Sequence, residues 1–92
     1  MNKRELIGRI AAQTGYPLIE VEKVVDHVVK VTIETLYEGR DVVITGFGKF
    51  EMRKRQARRG VNPRTNEPIL IPESEYIAFR QSNTMREKIR NR

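Results

Sequence analysis

Residues 52 to 66 read MRKRQARRGVNPRTN, which places Arg53, Lys54, Arg55, Arg58, Arg59 and Arg64 in one run with no acid among them. Cations this close repel one another, and burying them unpaired would cost far more hydration than packing returns, so the segment is committed to the surface. At its centre, Asn62-Pro63-Arg64-Thr65-Asn66 has the chemistry of a tight turn: an Asn-Pro opening and an asparagine that tolerates a left-handed backbone. Extended runs flank it, so residues 52 to 72 are predicted to form one long β-ribbon with this pentapeptide at its tip. Arg53 and Arg55 then share a face, and Arg58 lies beyond an irregularity. Pro68 and Pro72 are evenly separated, which puts both missing N–H groups on one edge. On a free edge no ladder bond is lost, and unwanted strand pairing is discouraged.

A ribbon of this kind contributes nothing to a core. The chain has 92 residues, 38% of them hydrophobic, so residues 1–51 and 73–92 form the body of a single domain at a size where a lone core is marginal. Phe47, Phe50 and Phe79, with Ile44 and Ile77, are its aromatic and aliphatic candidates. They suit either a monomer core or one shared with a second subunit.

The body reads as helices first, strands later. Asn2 is placed to cap a first helix, with Glu5 three residues on. Leu6, Ile7, Ile10 and Ala11 make its stripe, Gly15 stops it, and Pro17 takes the first position of the next helix, where its missing N–H is harmless. Val21, Val24, Val25, Val28, Thr32 and Leu36 keep helical spacing over some five turns, which outweighs the strand propensity of valine, and Gly39 ends the helix. Asp41 to Thr45 is predicted as a strand, Gly46-Phe47-Gly48 as a turn, and Lys49 onward as the second strand of a hairpin. Residues 67 to 79 form another extended run. Ser82 or Asn83 then opens a terminal helix through Arg90, with Met85 and Ile89 on one face.

Charge divides the chain near Gly46. The first 45 residues hold six Lys/Arg and seven Asp/Glu, the remainder twelve and five, so net charge runs from −1 to +7. A formal charge of +6 and a pI near 10.1 point to a polyanionic partner, nucleic acid or anionic lipid. The chain has no cysteine, which leaves no disulfide framework, thiolate nucleophile or cysteine metal site and suits a reducing cytoplasm. No apolar run reaches membrane-spanning length. His27 is the sole histidine and has no carboxylate cluster beside it, while Glu73 and Glu75 lie in an extended run beside Pro72. No catalytic constellation, metal site or cofactor site can be assembled from these residues, so an enzyme is not expected. A polybasic module for RNA or an anionic membrane surface is the competing class. The stretch from Arg53 to Arg64 lacks the aromatics on which single-stranded bases stack, which argues against that mode.

The run Gly46-Phe47-Gly48-Lys49-Phe50-Glu51, followed by Arg53, Arg55, Arg58, Gly60, Asn62-Pro63 and Thr65, resembles the signature of the bacterial HU and integration host factor family, and of HU in particular. The register extends through Met1-Asn2-Lys3, Glu5-Leu6-Ile7, Gly15, Asp26, Gly39, Ile71-Pro72 and Phe79. The resemblance implies an α+β fold: an intertwined dimer with a helical base, a three-stranded sheet and a protruding β-arm from each subunit. Phe47, Phe50 and Phe79 would lie in the dimer core. It further implies an architectural, nucleoid-associated protein that bends and compacts double-stranded DNA along the minor groove.

By the same resemblance, Arg53, Lys54, Arg55, Arg58, Arg59, Asn62, Pro63, Arg64 and Thr65 are the arm residues that meet DNA, with Pro63 wedging between base pairs. Lys3, Arg80 and Arg86 would touch phosphates from the body. Position 61, usually basic in the family, is Val61 and position 83, often lysine, is Asn83, which trims phosphate contacts. Asn66 replaces a usual glycine, and Pro17 a common serine cap. Minor-groove edges are degenerate and no major-groove recognition helix is present, so binding should be largely sequence-independent and favour distorted DNA. A sequence-preferring role like that of integration host factor, with a homologous chain as heterodimer partner, is the alternative within the family.

Overall fold

A computed structural model describes all 92 residues, Met1 to Arg92. The fold is α+β, and the chain falls into two compact units, Met1–Thr35 and Leu36–Arg92.

The first unit is helical. Helix α1 spans Lys3–Thr14; the Asn2 side chain accepts the Glu5 N–H at 2.9 Å, and Gly15, at φ +79°, donates its own N–H to the Ala11 carbonyl. Both ends are therefore closed by residues suited to them, the left-handed stop costing glycine little. Helix α2 spans Leu18–Tyr37. Pro17 is not its first helical residue: it stands just before Leu18, and its carbonyl accepts the N–H groups of Glu20 and Val21. With φ fixed and no N–H to place, proline works equally well one step outside the helix. Thr32 and Thr35 turn their hydroxyls back to the carbonyls of Val28 and Val31, which keeps β-branched polar residues satisfied inside the helix. Ile7 and Val21 are buried, yet Val24 and Val28 on the same α2 stripe are 62% and 52% exposed. They border an apolar groove of about 510 Å³ that also takes in Ile10, Val21 and Val25.

The second unit is a sheet with a helix. Strands β1 (Val42–Ile44), β2 (Gly48–Arg55) and β5 (Ser74–Gln81) form an antiparallel sheet in the order β1-β2-β5. Gly46, at φ +81°, turns the β1–β2 hairpin. Strands β3 (Arg58–Val61) and β4 (Pro68–Ile71) form a separate two-stranded sheet. Helix α3 spans Asn83–Arg90 and is capped by Ser82, whose side chain accepts the Met85 N–H. The N–H of Ser82 also bonds the Phe47 carbonyl, so the hairpin turn and the start of α3 are tied together.

The arm also departs from the sequence expectation. The ribbon over residues 52–72 is not continuous, and residues 67–79 are not one strand. The β2–β5 ladder carries on as far as Arg55↔Ser74, the chain then leaves strand geometry at Gln56-Ala57 and at Pro72-Glu73, and pairing resumes at Arg58↔Ile71. Pro72 sits in this break and not on a strand edge. A residue without an N–H interrupts the ladder where it falls, and the opposite chain needs slack at the same level.

Candidate nucleic-acid interface

Strand alternation sorts β2 into two faces. Gly48, Phe50 and Met52 lie on one, where Phe50 stands opposite Phe79 and the rings of Phe47, Phe50 and Phe79 cluster, with centroids 4.9 Å apart for Phe47–Phe79 and 5.0 Å for Phe50–Phe79. Lys49, Glu51, Arg53 and Arg55 lie on the other, with Arg80 of β5 directly across from Lys49. The result is a sheet with an aromatic face and a cationic face.

Glu51 organises the cationic face. Its side chain is only 15% exposed, and one carboxylate oxygen accepts from Arg53 Nε at 2.7 Å and from a terminal Arg53 nitrogen at 2.5 Å. Lys49 Nζ lies 3.3 Å from the other oxygen, and Arg80 approaches the oxygen shared with Arg53 to 3.9 Å. The hydrogen bonds from Arg53 and then Lys49 hold the Glu51 carboxyl below its ordinary value, and the same pairing raises Arg53. Lys49 also reaches Asp41 at 3.5 Å. Arg55 differs from its neighbours: it makes no ion pair, and its guanidinium carbon sits 4.9 Å from the centre of the Tyr76 ring. Lys54, on the opposite face, lies 3.6 Å from Glu73.

Past the break, Arg58 and Arg59 are exposed on β3 and alternate in direction. A Cβ at Gly60 would come within 2.9 Å of Ile71 Cδ1, so a side chain there would require the end of Ile71 to shift. The tip is closed by Asn62 in three ways. Its N–H bonds the Glu67 carbonyl, its carbonyl accepts from the Asn66 N–H, and its side-chain oxygen accepts the Arg64 N–H at 2.9 Å. Thr65 Oγ1 receives the Glu67 N–H, and Asn66 adopts φ +58°. These bonds engage only the backbone N–H of Arg64 and nothing of Pro63, which leaves the Pro63 ring and the Arg64 side chain exposed at the end of a fixed turn.

Two further sequence candidates, Lys3 and Arg86, belong to helices and not to the strands. Lys3 lies in the helical unit, 2.5 Å from Asp26, and the hydrogen bond to that carboxylate raises its affinity for its proton. Arg86 is exposed on α3. His27 Nδ1 lies 2.8 Å from the Lys23 carbonyl on its own helix, and no three His, Cys, Asp or Glu side chains are placed to hold a metal ion.

The profile of the bacterial DNA-binding protein family matches residues 1–90. The chain belongs to that family. Among curated relatives it is 41% identical to DNA-binding protein HU of Thermotoga maritima over 90 residues, which is 98% of this chain and all of that one. It is 39% identical to the HU protein of Geobacillus stearothermophilus, again over 98% of this chain and all of the relative. Among solved structures, an HU–DNA cocrystal from Anabaena superposes with a TM-score of 0.91 at 37% identity, covering 97% of each chain. A mutant HU from Thermotoga maritima superposes at 0.71 with 28% identity, covering 97% of this chain and 99% of that one.

Seen as an HU-family surface, the site holds two residues to which the sequence alone assigned no role in it. Glu51 stands two residues from both Lys49 and Arg53, so strand alternation could have marked it as their shared counter-ion. Tyr76 is more than twenty positions from Arg55, and only the β2–β5 register brings them together. No helix of this HU-family chain is long and apolar enough to cross a membrane.

Proposed function

We propose that this chain is an architectural DNA-binding protein of the HU type, which bends and compacts duplex DNA by laying its β-arm along the minor groove and inserting Pro63 between base pairs. The observation that carries this reading is the tip: an exposed proline at the end of a hydrogen-bonded turn, on a narrow ribbon carrying Arg58, Arg59 and Arg64. A rigid, apolar ring presented this way can replace a stacking contact, and the arginines neutralise the phosphates that converge at a bend. Arg53, Lys54 and Arg55 extend the cationic track to the foot of the arm, and Lys3, Arg80 and Arg86 serve phosphates flanking the bend. We take residues 1–92 as one functional domain, with 52–72 as its arm.

The working form is a pair of chains. Ile7, Val21 and Leu36 are the only buried hydrophobic residues, while Val24, Val28, Ile77 and Phe79 are each more than 40% exposed. So few buried side chains cannot stabilise a chain of this length, and a second copy supplies the missing apolar surface, with Phe47, Phe50 and Phe79 in the shared core. Such a protein works by binding and not by catalysis, on the chromosome in the cytoplasm.

The test is a titration of a plain duplex and of the same duplex carrying a nick, over a range of salt, with wild type beside Pro63→Ala. The nicked duplex should bind more tightly because part of its bending cost is already met. Affinity should fall with salt at a slope of about −0.9 per neutralised phosphate. Pro63→Ala should lose the preference for the nick. If affinity is indifferent both to the nick and to Pro63, the arm is only an electrostatic clamp and the wedge is wrong.

A further inference from the structure

Among the cations of the arm, Arg55 alone rests on an aromatic ring. The register explains how. Tyr76 stands opposite Arg53 and Arg55 stands opposite Ser74, so Tyr76 and Arg55 are diagonal neighbours on the cationic face, within reach of a long side chain. Arg53, two residues earlier, is held differently, because its Nε and a terminal nitrogen are both committed to Glu51. The distinction matters for a ligand made of phosphates and base edges. An ion pair uses up the donors that the ligand would need, whereas an aromatic face holds the guanidinium through its charge and leaves its N–H groups free.

We propose that Tyr76 is a positioning residue for DNA binding: its ring fixes the Arg55 guanidinium at the foot of the arm with its donors uncommitted. An arginine already held surrenders less side-chain freedom on binding than one that swings in solvent. Arg55 is thus the prepared contact of the pair, and Arg53 must first loosen from Glu51. The inference rests on the DNA-binding reading above, and its test separates the two.

Binding of the full chain to a nicked duplex is measured for wild type, Tyr76→Val, Tyr76→Phe, Arg55→Gln and the Tyr76→Val/Arg55→Gln double variant. Valine suits a strand and removes only the ring. Tyr76→Val should weaken binding roughly two- to fivefold, the range of an exposed cation–π contact, and Tyr76→Phe should return most of that loss. In the Arg55→Gln background, Tyr76→Val should change nothing further. An independent readout is the ring-current shift of the Arg55 side-chain protons, present in wild type and Tyr76→Phe and absent in Tyr76→Val. Unchanged binding by Tyr76→Val, or an equal loss with and without Arg55, overturns the positioning role while leaving the DNA-binding reading intact. If Arg55→Gln and Pro63→Ala both bind like wild type, it is the DNA-binding reading of the arm that fails.

Discussion

Gly48→Ala should be among the most damaging single-methyl changes in this protein. Gly48 is buried, pairs with Gln81, and lies over the aromatic cluster. A Cβ at that position would fall 2.5 Å from the Arg80 carbonyl oxygen and 2.6 Å from both Cε2 and Cζ of Phe79. The Phe79 ring could retreat only by giving up its contacts with Phe47 and Phe50, and the carbonyl belongs to β5 itself, so the strand must move. Overpacking of this kind costs about 1–3 kcal/mol, and the upper half of that range applies when backbone has to give way. For a chain of this size that lowers the melting temperature by about 10–20 °C. Circular dichroism melts at a fixed protein concentration read this directly, the concentration being held because an associating chain melts at a concentration-dependent temperature. Gly8→Ala is the control. Gly8 lies inside α1, and a Cβ there meets nothing within 4 Å, so alanine should stabilise by about 0.5–1 kcal/mol through helix propensity. If Gly48→Ala melts within a few degrees of wild type, or if both glycine substitutions shift the melt alike, the close approach of β2 to β5 is not what keeps glycine at position 48.

Two further outcomes follow from single residues. Glu51 is held below its ordinary value of 4.5 by Arg53 and Lys49, so its pairing contributes stability that is complete above pH 4.5 and is lost as pH falls through the lower, folded value. Glu51→Gln should therefore melt below wild type at pH 7, and the gap should narrow as pH falls below 4.5 and through the folded value; a difference that does not change with pH would remove the ion pair as its cause. Asn66 adopts φ +58°, where a Cβ without a compensating local hydrogen bond costs about 1 kcal/mol, so Asn66→Ala should speed amide exchange in β3 and β4 while Asn66→Gly does not. Equal exchange in the two variants would mean that the tip is held by other bonds.

Much of the fold was legible because its signals are local. Asn2, Gly15 and Ser82 sit at helix ends for reasons contained within three or four residues. The long spacing of Val21, Val24, Val25 and Val28 overrode the strand propensity of valine. The tip was equally plain, since Asn62, Pro63 and Asn66 carry the turn in their own backbone preferences. The continuous ribbon was the reading that failed. Whether a strand passes a proline depends on what the opposite strand does at that level, and Pro72 meets a break at Gln56-Ala57 that no local pattern announces.

The candidate site divides in the same way. Sequence alone determined that residues 52 to 66 must be solvated, cationic and turned at Asn62-Pro63, because charge density and backbone preference belong to the residues themselves. Which of those cations are free was decided only by the tertiary structure. Arg53 gives its donors to Glu51, Lys54 lies beside Glu73, and Arg55 rests on Tyr76, and each pairing depends on strand alternation or on the β2–β5 register. A slip of one residue in that register would carry Tyr76 to the aromatic face and leave Arg55 without its support, since alternate residues of a strand face opposite sides.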